Sequence, residues 1–448
     1  MSNLPPLFLE RIHKQYTDAS DLIQALDTTS PTSIRLNPSK ESSIFNDARP
    51  VPWCKNGRYL EERPKYTLEP LFHGGTFYPQ EAGSMCIDFI LHTINLPKDS
   101  VCLDLCAAPG GKSTLILDYL SNEGLLVANE IIRNRAQILR ENITKWGASN
   151  CIVTNNEAAD FGEMGELFDC ILIDAPCSGE GMFRKDLNAR QEWSIQNAQH
   201  CVVRQEDILT QTWSALKQNG YLFFSTCTFN PEENELQIER FLNQVNATVI
   251  ELDIPEQWGI TSPANGIGYA CLPHRIESEG FYFVVLQKND AHSPVRLKTK
   301  QPKKNPSTTL ETPTELKQLS EQKDIFIHTH LDYIYGFARK HEEIARYILA
   351  HFKCMKWGVR LGTLKGKQLI PDHEWALSHA IPHPFPRAEV SKQTALQFLK
   401  GEPIQLEAPN GWVCITYKGI GLGWVKNMGN RVNNYYPKEY RIRMDIHA

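Results

Sequence analysis

The stretch Val101-Cys-Leu-Asp104-Leu-Cys106-Ala-Ala-Pro109-Gly110-Gly111-Lys112-Ser113 decides the fold. A short apolar run is followed by a glycine-rich turn and the start of a helical pattern, the strand–turn–helix that opens a parallel α/β sheet. Glycines in such a turn let the backbone approach a ligand, and the helix start offers unpaired N–H groups. A phosphate-binding P-loop is excluded, because the glycine it requires six residues before Lys112 is Cys106 here. The turn also misses G-x-G-x-x-G, which argues against a dinucleotide site.

Outward from this turn the pattern alternates. Short apolar runs at 101–106, 125–130, 151–154, 169–174 and 221–226 read as strands, with helical stretches such as 132–145 and 205–217 between them. A final strand is expected at 281–286. The reading is a doubly wound, Rossmann-like sheet. Glu130, at the end of the second strand, stands where an acidic residue accepts hydrogen bonds from ribose hydroxyls, so the turn and Glu130 together point to a nucleoside-containing cofactor.

Two cysteines follow central strands at the edge where open α/β sheets build their sites. One lies in Ile171-Leu-Ile-Asp174-Ala-Pro176-Cys177-Ser-Gly-Glu-Gly181, the other in Tyr221-Leu-Phe-Phe-Ser225-Thr226-Cys227-Thr228. Carbon-5 of cytosine is a poor nucleophile, and adding a thiolate at carbon-6 makes the ring enamine-like and able to attack an electrophilic methyl group. Asp174 is placed to hydrogen-bond the ring nitrogen and exocyclic amine, and Cys177, three residues on, to assist release once carbon-5 is methylated. Such a base must leave its stack, which favours single-stranded or looped substrate. The remaining cysteines at 54, 86, 102, 151, 170, 201, 271, 354 and 414 read as packing residues. Cys102 and Cys106 are too sparsely accompanied for zinc, so no metal is expected.

With 448 residues, 41% hydrophobic and 22% charged, the chain has the composition of a soluble globular protein of two or three domains. No apolar run approaches a membrane span and Met1-Ser-Asn-Leu-Pro lacks a leader pattern, so a cytoplasmic, reduced setting with free thiols is expected. The net charge of −5 hides an asymmetry: residues 1–286 carry 22 basic and 37 acidic side chains, residues 287–448 carry 25 basic and 15 acidic. A basic tail on an acidic body suits a polyanion. Expected boundaries are an N-terminal α/β region at 1–70, a catalytic domain at 71–287, a basic, proline-containing linker at 288–324, and a β-rich module at 325–448. Within the first, a helical opening at 8–12 and a strand at 33–37 are expected. In the last, strands are expected at 411–417 and 421–426. Nothing suggests a dimerisation helix, and a monomer is expected.

Phe77-Tyr-Pro-Gln80-Glu81, Cys106-Ala-Ala-Pro-Gly-Gly-Lys112, Asp174-Ala-Pro-Cys177-Ser-Gly-Glu-Gly181 and Ser225-Thr-Cys227-Thr resemble the Nop/Sun family of RNA cytosine-5 methyltransferases, within it the bacterial RsmF-like rRNA enzymes. The resemblance implies S-adenosylmethionine as donor, bound by Cys106, Ala107, Ala108, Pro109, Gly110, Gly111, Lys112 and Glu130, with Asp174 lining the cofactor and base pocket. It implies Cys227 as the attacking thiolate and Cys177 as the releasing residue. The family's acidic residue near the adenine aligns best with Glu157, and Asp160 competes for that place. The tail from Gly421 to Lys438 resembles a PUA-like module, in which Trp424, Lys426, Arg431 and Tyr435 are candidates for RNA contact, alongside Arg184 and Lys185 near the second motif. The implied substrate is small-subunit rRNA or the assembled small subunit, with tRNA or large-subunit rRNA as alternatives. DNA cytosine-5 enzymes share a Pro-Cys motif but use that cysteine as nucleophile. A catalytically silent assembly factor is the remaining alternative.

Overall fold

The computed structural model describes residues 4–290, 316, 319–320, 324–330, 332–366 and 368–446. Most of the linker expected at 288–324 lies outside them. A central sheet runs in the order Ala247–Val249, Phe281–Lys288, Leu216–Thr226, Phe168–Asp174, Val101–Asp104, Leu125–Asn129, Cys151–Thr154, Cys354–Trp357, with Tyr269–Cys271 also pairing Phe281–Lys288. The five strands from Leu216–Thr226 to Cys151–Thr154 are mutually parallel, and Phe281–Lys288 returns antiparallel. The doubly wound sheet expected from the sequence is therefore present, with helices Arg133–Trp146 and Ile195–Thr212 among its crossovers.

These strands read as unbroken apolar runs because both faces are covered. Cys102, Leu126, Ala128, Val153, Cys170, Leu172 and Phe223 enter one core, and the alternate residues Val101, Leu103, Leu125, Val127, Ile152, Ile171 and Phe224 enter the other. The period-2 geometry of a strand produces this division.

The N-terminal unit holds helices Pro6–Gln15 and Ala19–Leu26 and a four-stranded sheet, Pro50–Val51, Cys54–Leu60, Thr32–Leu36, Phe77–Pro79. Its last strand lies past residue 70, so the boundary expected there cuts through this sheet. The C-terminal segment also differs from the expected single module. It holds two four-stranded sheets, and its strand Cys354–Trp357 pairs antiparallel with Cys151–Thr154, closing one edge of the central sheet. Pairing with an edge strand is decided by backbone groups that carry no sequence signature. No helix among the described residues is long and apolar enough to cross a membrane.

Arg35 fastens the N-terminal sheet to the catalytic domain. Its guanidinium donates to Gln80 Oε1 (2.9 Å) and Gly111 O (3.2 Å), pairs with Asp118, and lies 4.6 Å from the centre of the Trp146 ring. Gly111 and Asp118 belong to the helix Gly111–Leu120 that follows the glycine turn, so a side chain from one unit fixes a helix of the other. Arg35 is 1% exposed, and removing one partner of a buried ion pair leaves an uncompensated charge. Arg35→Ala is expected to lower unfolding free energy by about 3–5 kcal/mol, measured by chemical denaturation.

Candidate active site

Every element of the site leaves the sheet at its carboxyl edge. After Val101–Asp104 the chain turns through Leu105 to Gly110, anchored by Leu105 N to Leu172 O (2.9 Å) and Ala107 N to Asn129 O (2.8 Å). Gly110 sits at φ +116°, a conformation that L side chains rarely adopt, and a Cβ there would meet Leu139 at 3.2 Å. The carbonyls of Ala108 and Pro109 accept from Arg135 (3.0 Å) and Asn142 (2.8 Å) on the helix Arg133–Trp146. The turn's shape is thus held from outside.

Three carboxylates surround this turn. Asp104 is fully buried; its Oδ2 accepts from Ser113 Oγ (2.6 Å) and its Oδ1 has no partner. Burial pushes its pKa up to about 7, with Ser113 and Lys112 pulling it down and Asp174 and Glu130 pushing it further up. Glu130, 2% exposed, accepts from Ile132 N (2.9 Å) and lies 3.3 Å from Arg135. Beside it Ile131 and Ile132 expose apolar side chains, a pair the sequence reading did not single out. A cationic, nucleoside-bearing ligand fits this place: an orphaned buried carboxylate oxygen, a left-handed glycine and an apolar shelf surround one turn.

Glu157 is exposed at the start of the short helix Ala158–Gly162, where Asp160 Oδ2 accepts from Glu157 N (3.2 Å) and Asn156 Nδ2 (2.7 Å). Asp160 is therefore engaged in capping its own helix.

Asp174 ends its strand opposite Ser225. Its Oδ2 accepts from Lys112 Nζ (2.7 Å) and its Oδ1 from Ser225 Oγ (2.8 Å), joining the glycine turn to both cysteine-bearing strands. Burial would lower the Lys112 pKa, but Asp174, Asp104 and Cys227 together hold it raised, which makes its ammonium a cation facing Cys227 that the sequence could not place. Cys177 and Cys227 meet with Sγ atoms 3.2 Å apart, and Cys227 N donates to Cys177 Sγ (3.3 Å). Both are partly exposed free thiols. The hydrogen bond to Cys227, then burial, pushes the Cys177 thiol well above its ordinary range. Cys106 is pushed up by burial and by Asp104, Asp174 and Glu130.

The segment carrying Cys177 is irregular and is clamped by groups the sequence reading missed. Gln205 donates to Pro176 O (3.0 Å), Glu233 accepts from Ser178, and Gly181 N donates to Cys227 O (2.8 Å). Glu180, fully buried, accepts from Trp193 Nε1 (2.8 Å) and Phe229 N (3.2 Å) and pairs with Arg11. The sequence signal for Glu180 was an acid between two glycines of the motif; nothing local disclosed that its partner would be Arg11.

Two proposed RNA contacts are corrected by packing. Trp424 is 1% exposed; its Nε1 donates to Asp372 O (2.7 Å) and its ring packs on His383 and Phe385. Arg184 has a side chain 5% exposed and is paired with Glu279 at 3.1 Å. Both serve the interior, because period-2 alternation and a distant carboxylate decide their direction. Lys185 and Arg431 are exposed, Tyr435 is 45% exposed edge-on to Trp412, and Lys426 lies over the same Trp412 ring.

Family models described as 16S rRNA methyltransferase RsmB/F, N-terminal domain of 16S rRNA methyltransferase RsmF, and methyltransferase RsmF PUA domain match residues 91–287, 4–82 and 385–442. Ribosomal RNA small subunit methyltransferase F of Shewanella oneidensis is 30% identical over 98% of this chain and 97% of its own length. The protein of that name from Aeromonas hydrophila is 31% identical over 91% and 90%. The chain belongs to the RsmB/F family. It is an S-adenosylmethionine-dependent RNA cytosine-5 methyltransferase with a PUA domain. Among solved structures, a methyltransferase homolog protein from Pyrococcus horikoshii is 28% identical with a TM-score of 0.55, covering 63% of this chain and 94% of that one. NSun6 from Pyrococcus horikoshii with SFG, 21% identical, shares the fold with a TM-score of 0.56 over 64% of this chain and 99% of that one.

Gly181 tests the geometry of the site. A Cβ there would lie 2.4 Å from Gly280 O and 2.9 Å from Cys227 O. Gly181→Ala is expected to shift the Cys177 segment and cut the methylation rate by about 100-fold. Cofactor affinity, measured in parallel by calorimetry, is expected to stay unchanged.

Proposed function

We propose that this enzyme forms 5-methylcytidine in small-subunit (16S) rRNA through a covalent bond from Cys227 to carbon-6 of the target cytosine, and that Cys177 assists release. The observation that carries this reading is the pair of thiols 3.2 Å apart beside the Lys112–Asp174 ion pair. The relatives' names support the choice of RNA.

Bound at the 106–112 turn and Glu130, S-adenosylmethionine supplies an electrophilic methyl group there. Cys106, Ala107, Ala108, Pro109, Gly110, Gly111 and Lys112 would shape its place, Glu130 would take the ribose hydroxyls, and Ile131, Ile132 and Glu157 would hold its base. Asp104 and Asp174 set negative charge toward a cationic ligand. Lys112, held by Asp174, sets a positive charge facing Cys227. Asp174, held on both oxygens, presents a fixed carboxylate to the cytosine's nitrogen edge. In elimination the carbon-5 proton leaves to a base reached through Cys177, the C5–C6 double bond re-forms, and the carbon–sulfur bond breaks to return Cys227 as a thiolate. Lys185, Lys426, Arg431 and Tyr435 are the surface groups offered to RNA phosphates and bases. The enzyme works as a cytoplasmic monomer on this reading.

Covalent trapping tests the thiol roles. Cys177→Ala protein is expected to carry a ribonuclease-sensitive shifted band on a denaturing gel, absent when Cys227 is also replaced, and the attached RNA names the cytidine. A band that depends on Cys177 and persists without Cys227 reverses the assignment.

Asp104 gives cofactor binding a pH dependence. With its pKa near about 7, the ionised form that attracts a cation predominates only above that pH. S-adenosylmethionine affinity is therefore expected to weaken roughly tenfold from pH 8 to pH 6. Isothermal calorimetry reads the change, and Asp104→Asn flattens the dependence.

A further inference from the structure

Glu233 is a fully buried carboxylate that takes no part in the chemistry described above. It lies at the end of the single 3-10 turn Pro231–Glu233, just beyond Cys227. Its Oε2 accepts from Ser178 N (2.7 Å), and its Oε1 from Ser178 Oγ (2.6 Å) and Asn230 Nδ2 (2.9 Å). Ser178 Oγ is also 2.8 Å from Thr228 Oγ1. The residue after each cysteine is thus bonded to the residue after the other, and one carboxylate holds the junction.

The need for such a clamp follows from the backbone. Residues 175–179 have no regular structure, and Gly179 at φ +73° has open space around it. On the strand side the segment is tied by Ala175 N to Ser225 O (2.8 Å) and by Gln205 to Pro176 O (3.0 Å). Past Cys177, Glu233 supplies the first side-chain bonds, at Ser178. A buried carboxylate is retained at a desolvation cost that only charge-assisted hydrogen bonds offset, and here it receives three. Chemistry at two neighbouring sulfur atoms tolerates displacements of only about 0.5 Å.

We propose that Glu233 is a positioning residue for the second thiol: through Ser178 it holds Cys177 against Cys227, so that release keeps pace with addition. The inference rests on the thiol roles given under Proposed function. Its loss slows elimination while leaving cofactor binding and the addition step in place.

The test uses full-length Glu233→Ala, Glu233→Gln and Ser178→Ala proteins, with Cys177→Ala as reference and a small-subunit rRNA transcript as substrate. Single-turnover methyl transfer with enzyme in excess, multiple-turnover kcat and KM, and covalent adduct on denaturing gels are compared. Glu233→Ala is expected to keep single-turnover methyl transfer within about threefold while kcat falls about 10- to 100-fold and adduct accumulates, with KM little changed. Glu233→Gln has one acceptor oxygen for three donors and lies between; Ser178→Ala keeps the N–H bond and is mildest, so the order survives even if Glu233→Ala fails to fold. An unchanged kcat overturns the proposal. So does a parallel fall of single- and multiple-turnover rates without adduct, the signature of a merely structural residue. If Cys177→Ala accumulates adduct and the Glu233 variants do not, the positioning role alone fails. If Cys177→Ala itself accumulates none, the thiol reading fails and takes the proposal with it.

Discussion

The constraint on which the site depends is the register of two adjacent parallel strands, in which Asp174 lies opposite Ser225. Three residues beyond one and two beyond the other, the chain delivers Cys177 and Cys227 to the same point above the sheet. A one-residue slip would turn every side chain of one strand to the opposite face, and the apolar cores on both faces forbid it. The thiols are therefore placed by the burial of residues such as Ile171, Leu172, Phe223 and Phe224, far more than by any attraction between sulfur atoms.

Electrostatics then distinguishes two chemically identical groups. Lys112 reaches from the glycine turn to Asp174 and has Cys227 in its field, whereas Cys177 feels the buried Glu233 and the sulfur of Cys227. One side chain of the turn thus serves both halves of the site. Arg35 extends the coupling outward, because it bonds the same helix that begins at Gly111 and so ties the N-terminal sheet to the placement of Lys112.

Much of this was legible in the chain. The alternation of apolar runs and helical stretches gave the parallel sheet, since strands buried on both faces have no polar positions to blur the signal. The glycine turn, Glu130, Asp174 and the two cysteines stood out because strand-end chemistry sits in short contiguous motifs. The edge pairing of Cys354–Trp357 with Cys151–Thr154 did not stand out, nor did the division of the C-terminal segment into two sheets. Backbone pairing between distant segments leaves no local pattern, and neither does the direction of a residue such as Trp424, whose aromatic neighbours suggested a surface but whose ring fills a core.

By itself the sequence determined the fold class and singled out the candidate reactive groups and the glycine-rich turn, because each is written in residues close along the chain. Only the tertiary structure decided which groups hold the reactive ones in place. Glu180 found Arg11 and Glu233 found Ser178 across long stretches of chain, and Arg184 found Glu279 in place of a phosphate. A buried charge must be satisfied wherever packing puts it, and packing depends on the whole chain at once.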